Sequence, residues 1–248
     1  MISKLLYLGD TSLKGAASYL SGIMTHSQIL FDYKASNEIF CDDWLKNDCT
    51  ALIISDYPAA NFSDKQLSML EDRIKNGLGL LMIGGWQSYV GSGGNYHKTV
   101  LADCLPVLMG GSDDRMNLSS PCVVSCSSAH QIVDGLPFET DAPVVGGFNA
   151  IEPKPDATTI LAVNVYKTIM RDNTHKFDKT KTYPLLVVGK YGAGNVAAFT
   201  SDVAPHWVGG LVDWGKCRIK AQARGANLVE MGETYVELFT RIIRWVSK

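Results

Sequence analysis

Over its first 90 residues the chain alternates short apolar runs with segments whose apolar positions recur every three or four residues. That alternation predicts a parallel sheet covered by helices on both faces. Leu5–Leu8 reads as a first strand. Leu13, Ala16, Ala17, Leu20 and Met24 fall at helical spacing, so a helix over 13–24 returns the chain to the start of a second strand at Gln28–Tyr33. Ala51–Ile54 is a continuous apolar run, the signature of a strand buried on both sides. Ser63 caps the clearest helix, with Leu67, Leu70 and Ile74 on its inner face and Asn76–Gly77 as its stop. Gly79–Ile83 is the most hydrophobic strand, and it opens directly onto a glycine-dense loop running from Gly84 to Gly94.

Beyond residue 105 the rhythm changes to shorter strands punctuated by proline and glycine. They are expected at Cys122–Ser125, Val144–Phe148, Thr159–Asn164, Leu185–Lys190 and Val196–Thr200. The sheet therefore gains an antiparallel portion, and Tyr191–Asn195 reads as a hairpin turn. Asp172–Thr182 is polar and charged and reads as an exposed loop. A terminal helix is expected over Glu230–Val246, with Val236, Phe239, Ile243 and Val246 facing inward. No linker or repeat divides the 248 residues, so the reading is one domain spanning 1–248.

Composition narrows the partners. Twenty-five acidic and 23 basic side chains leave a formal charge of −2 without a run of like charge, which argues against nucleic acid and anionic lipid. No stretch reaches the roughly 20 apolar residues of a membrane helix. The segment Met1–Asp10 reads as a strand rather than a secretory signal, and the six dispersed cysteines fit a reducing compartment, so the expected location is cytoplasmic. Cys122, Cys126 and His130 fall at intervals of four, but the surrounding strand and serine-rich loop do not read as a metal site; neither metal nor cofactor is expected. His130 is expected to tie down a turn.

Ligands of open parallel sheets bind where loops leave the carboxyl ends of the strands. The loops that qualify contain Asp10, Asp56, Gly85–Trp86–Gln87 and Asp202–Trp207. In a binding reading, the indoles of Trp86 and Trp207 cover the apolar face of a small polar ligand while Asp10, Asp56, Gln87 and Asp202 fix its polar edge. In an enzymatic reading, that of a hydrolase or a glutamine-dependent transferase, His206 acts as general base beside Asp202, with Ser88 or an activated water as nucleophile. A third reading is a homo-oligomer in which Trp207, Val208, Leu211, Val212 and Trp214 form an exposed contact patch.

Four segments together carry a family resemblance: Leu80–Tyr89, Leu105–Val107, His130–Pro137 and Tyr191–Trp207. In order and spacing they resemble the putative glutamine amidotransferase family of the class I glutamine amidotransferase-like superfamily. More distantly they resemble its trehalose-utilisation branch. The resemblance implies a flavodoxin-like three-layer α/β/α sandwich with its pocket at the strand ends described above. Class I amidotransferases release ammonia from glutamine with a cysteine at the turn after the central strand and a later His-x-Glu pair. Here Trp86 stands near the position of that cysteine, and the segment containing His206 has no His-x-Glu. The resemblance thus implies an amidotransferase-like domain that binds a sugar-like or amino-acid-like compound without cysteine-dependent glutaminase activity.

Overall fold

A computed structural model describes residues 4–46 and 48–248; the first three residues of the predicted opening strand lie outside that range. In chain order the elements are β1 (Lys4–Gly9), α1 (Ala17–His26), β2 (Leu30–Lys34), β3 (Cys49–Ser55), α2 (Asp64–Lys75), β4 (Gly79–Ile83), α3 (Leu101–Cys104) and β5 (Val107–Leu108). They continue with β6 (Arg115–Cys126), β7 (Val144–Asn149), β8 (Glu152–Pro153), β9 (Thr158–Arg171), β10 (Thr174–Tyr191), β11 (Gly194–Phe199), α4 (Pro205–Val208), β12 (Arg218–Ala221), β13 (Val229–Gly232) and α5 (Glu233–Val246).

Nine strands form one sheet in the order β2-β1-β3-β4-β11-β10-β9-β6-β7. From β2 to β11 every pairing is parallel, and from β11 to β7 every pairing is antiparallel. Alternate residues of the parallel strands feed two separate cores. Leu5, Tyr7, Ile53, Leu81 and Ile83 pack with α1 and α5, whereas Leu6, Leu8, Leu52, Ile54, Leu80 and Met82 pack with α2 and α3. Burial on both faces is why these strands read as unbroken apolar runs. The fold is the expected α/β layered architecture with a mixed sheet.

Several local expectations hold. Ser63 and Gln66 form a reciprocal capping box at the start of α2. The chain turns at Gly192 with φ +58° between β10 and β11. His130 Nδ1 accepts the amide of Ile132. All six cysteines are free thiols. No helix among the described residues is long and apolar enough to cross a membrane.

Two expectations are corrected. Residues 172–182 are not a loop: Asp172–Asn173 is a tight turn with positive φ at both residues, and Thr174 onward is strand, paired with β9 from Arg171↔Thr174 to Asn164↔Thr182. Thr174, Phe177, Thr180 and Thr182 favour extended backbone in a ribbon with little burial. The predicted terminal helix begins later, at Glu233, because Val229–Gly232 pairs with β12 as a hairpin packed near α1 and α5.

Candidate functional site

The carboxyl ends of β1, β3, β4 and β11 meet along one edge, and each delivers a polar turn. Asp10 follows β1 and Asp56 follows β3, at φ +44° and +47°, a left-handed conformation that aspartate tolerates better than most residues. Asp10 is fastened on all sides. Its amide donates to Ser55 O at 3.0 Å, its carbonyl accepts from Tyr33 Oη at 2.6 Å, and its Oδ2 accepts from Tyr7 Oη at 2.6 Å. Asp56 bridges to the next loop. Its amide donates to Ser88 Oγ at 3.0 Å, and its Oδ1 accepts the amide of Gln87 at 2.6 Å.

The glycine loop after β4 is held by two side chains that the sequence did not single out. Asn149, at the end of β7, accepts the amide of Gly85 at 2.9 Å and donates to its carbonyl at 3.2 Å. Its amide nitrogen also donates to Asp114 Oδ1 at 2.7 Å. Asp114 in turn accepts the amides of Val90 and Gly91 at 3.1 and 3.0 Å. The only sequence signal was negative: polar residues at the border of apolar strands, where burial requires partners. Gly85 has φ +153°, and a Cβ there would collide with the Asp56 carboxylate. A side chain at that position would separate the two loops.

Asp202 follows β11 and is 1% exposed. Its Oδ1 accepts the amides of Val203 and Ala204 at 2.5 and 3.3 Å. Its Oδ2 has no hydrogen-bond partner among the described residues and faces His206 Nε2 at 3.3 Å. Three carboxyls thus gather in one buried neighbourhood, and the charged form of each is disfavoured. Burial is the main cause throughout. It raises Asp10 to about 7 against the opposing hydrogen bond from Tyr7, with Asp56 adding to the rise. It raises Asp56 to about 6 against the amides of Gln87 and Trp86. Asp202 is driven well above the carboxylate range by burial and then by Asp10 and Asp56. His206 is half-exposed, and partial burial lowers it from 6.5, so the imidazole is neutral at pH 7.

A crevice of about 350 Å³ opens beside these groups, lined by Asp10, Thr11, Ser36, Asp56, Trp86 and Gln87 among others. Trp86 is 48% exposed, and the Arg115 guanidinium lies 4.3 Å from its ring centroid, itself held by Asp113. A wider, shallower concavity of about 780 Å³ lies along Cys126–Gly135, with fewer convergent polar groups.

Of the residues expected at the site, Asp10, Asp56, Trp86 and Gln87 share the crevice, Gly85 supports it, and Asp202 and His206 adjoin each other beside it. Ser88 is fully buried with its Oγ engaged by Asp56. Trp207 does not border the crevice. Its indole packs on Gly147, where a Cβ would lie 2.7 Å from Nε1, and donates to Asn117 Oδ1 at 2.6 Å. The expected contact patch from Trp207 to Trp214 is corrected as well: Trp207, Val208, Leu211, Val212 and Trp214 are all buried within the chain, so they present no outer surface.

Comparison with solved structures places the fold among known ones. Cytoplasmic protein STM1381 from Salmonella typhimurium LT2 aligns over 99% of this chain and 100% of its own, with a TM-score of 0.76 and 24% identity. Cytoplasmic protein STM3548 from Salmonella typhimurium aligns over 98% of both chains, with a TM-score of 0.73 and 25% identity. A ThuA-like protein from Bacteroides uniformis aligns over 98% of this chain and 91% of its own, with a TM-score of 0.56 and 12% identity. No curated protein matches the sequence. Residues 32–220 match the family described as putative glutamine amidotransferase, a span that includes the strands and loops building most of this site, and the chain belongs to that family.

Proposed function

We propose that the chain binds a small, neutral, polyhydroxylated compound of the sugar class in the crevice beside Trp86, without cysteine-dependent glutaminase chemistry. The convergence of Asp10, Asp56 and the half-exposed Trp86 indole around one crevice carries this reading. A carboxyl that titrates near neutrality can donate as well as accept, which suits hydroxyl groups better than a fixed anion does. The indole offers an apolar face for the carbon-bound hydrogens of a ring. The turn after β4 carries Gly84, Gly85, Trp86 and Gln87, none of which can serve as a nucleophile. The next hydroxyl, Ser88, is buried and already accepts a backbone amide.

The test is a thermal-shift screen of mono- and disaccharides beside free amino acids, together with an ammonia-release assay on glutamine. A ligand that prefers the native state adds about 2.7 kcal/mol at a hundredfold excess over its Kd, a shift of several degrees. The expected result is stabilisation by a sugar that disappears in Trp86→Ala. Stabilisation by amino acids alone, by nothing, or ammonia release by the wild type overturns the proposal.

One observation favours a second, hydrolytic reading. His206 Nε2 lies 3.3 Å from Asp202 Oδ2 with the imidazole neutral, as a general base for an activated water requires. In that case His206→Ala keeps ligand-induced stabilisation and loses turnover of the bound compound.

A further inference from the structure

The ribbon formed by β9 and β10 has no neighbour over much of its length. Leu186 is level with both Phe199, at the end of β11, and Leu161. Because β9 runs parallel to β11, everything after Leu161 on β9 extends past the carboxyl edge of the sheet. β6 pairs with β9 as far as Val165. Beyond it, among the described residues, Tyr166–Arg171 and Thr174–Lys179 pair only with each other, an arm roughly 20 Å long rising from the same edge on which the crevice opens.

Directly opposed residues of an antiparallel pair share a face. Tyr166, Thr168 and Met170 therefore lie with Lys179, Phe177 and His175 on one face, and Lys167, Ile169 and Arg171 lie with Asp178, Lys176 and Thr174 on the other. Met170 and Phe177 are 70% and 54% exposed, so the first face presents an uncovered apolar stripe. Isolated two-stranded ribbons are marginal in water and need a packing partner. The arm is also basic. Tyr166–Thr182 holds five cations and two carboxylates, a net +3 in a chain of −2, which leaves −5 on the remainder.

The complementary surface lies on the body of the same molecule. Residues 36–43 carry Glu38, Asp42 and Asp43 and no cation, a net −3, and they hold Ile39, 69% exposed. This segment adjoins the crevice. Ser36 lines it, and the amide of Ser36 donates to the carbonyl of Asp10.

We propose that the arm docks on residues 36–43 of a second copy of this chain, its apolar stripe over Ile39 and its Lys179 toward Asp42 and Asp43, in a two-fold dimer that walls the crevice of each copy with the arm of the other. Both surfaces stand on the carboxyl edge, so one rotation satisfies both contacts at once. The dimer does not depend on which compound the crevice takes.

Light scattering on the full chain at micromolar concentration tests this. The expected mass is about 54 kDa, twice the 27.0 kDa of one copy. The doubly substituted M170D/F177D should fall to the monomer mass with an unchanged far-ultraviolet circular dichroism spectrum, and so should D42K/D43K. Combining D42K/D43K with K179E in one chain should restore the dimer. A monomeric wild type, a dimer indifferent to M170D/F177D, or a combined charge exchange that stays monomeric overturns the proposal.

Discussion

Tyr7 Oη donates to Asp10 Oδ2 at 2.6 Å within the body of the protein, where the ring is fully buried and the carboxyl nearly so. In acid and up to near neutral pH the pair is held in its neutral form. Burial raises Asp10 to about 7 and lifts the Tyr7 phenol well above its ordinary 10, with Asp10 adding to the rise of Tyr7. An unfolded chain releases the Asp10 proton near 3.8, whereas the folded chain keeps it to about 7. Between those values the unfolded state binds fewer protons, so this group's contribution to stability is full at low pH and is lost as pH rises toward 7.

Asp10→Asn therefore gains on the wild type as pH rises. Asparagine keeps an acceptor for Tyr7, tolerates the left-handed backbone and never ionises. Urea unfolding should find the two chains similar at about pH 4 and the variant more stable by on the order of 2–4 kcal/mol at about pH 8. A variant no more stable at the higher pH contradicts the assignment of Asp10 as a buried, protonated carboxyl.

Asn149→Ala should loosen the glycine loop from three sides. The Gly85 amide loses its acceptor, the Gly85 carbonyl loses a donor, and Asp114 loses a neighbour that helps satisfy it. Buried groups left unpaired cost about 1–3 kcal/mol each. Chemical unfolding should register the loss, and hydrogen exchange should quicken at Gly85, Val90 and Gly91 ahead of β4.

Gly147→Ala tests the placement of Trp207. The new methyl would press against the Trp207 indole at 2.7 Å, against a ring anchored to Asn117. Overpacking of this kind costs about 1–3 kcal/mol. Since Trp207 stands apart from the crevice, binding at Trp86 should survive while the melting temperature falls. Loss of binding without loss of stability would bring Trp207 back to the ligand.

How far the chain could be read depends on what each residue answers to. Gly79–Ile83 was legible to the residue, and Ala51–Ile54 lies inside β3, because strands buried on both faces must be apolar throughout. Ser63 announced α2 through local chemistry alone. The ribbon at 166–182 was illegible for the opposite reason: its strands bury almost nothing, so a polar, charged stretch read as a loop where the ladder in fact runs on. Asp10, Asp56, Trp86 and Gln87 could be gathered from strand ends, since topology fixes where those ends meet. Asn149 could not, because its partner Gly85 is 64 positions away and nothing local distinguishes it from any strand-end asparagine. Trp207 looked like Trp86 in sequence, and only its packing on Gly147 separates them.

Thr200 ties the base of the ribbon to the turn that bears Asp202. Its amide donates to Leu185 O at 2.8 Å and its hydroxyl to Pro184 O at 2.9 Å, both at the point where β10 enters the sheet. The root of the hairpin and the turn that carries Asp202 are thereby one hydrogen-bonded unit, fastened two residues from that buried carboxyl.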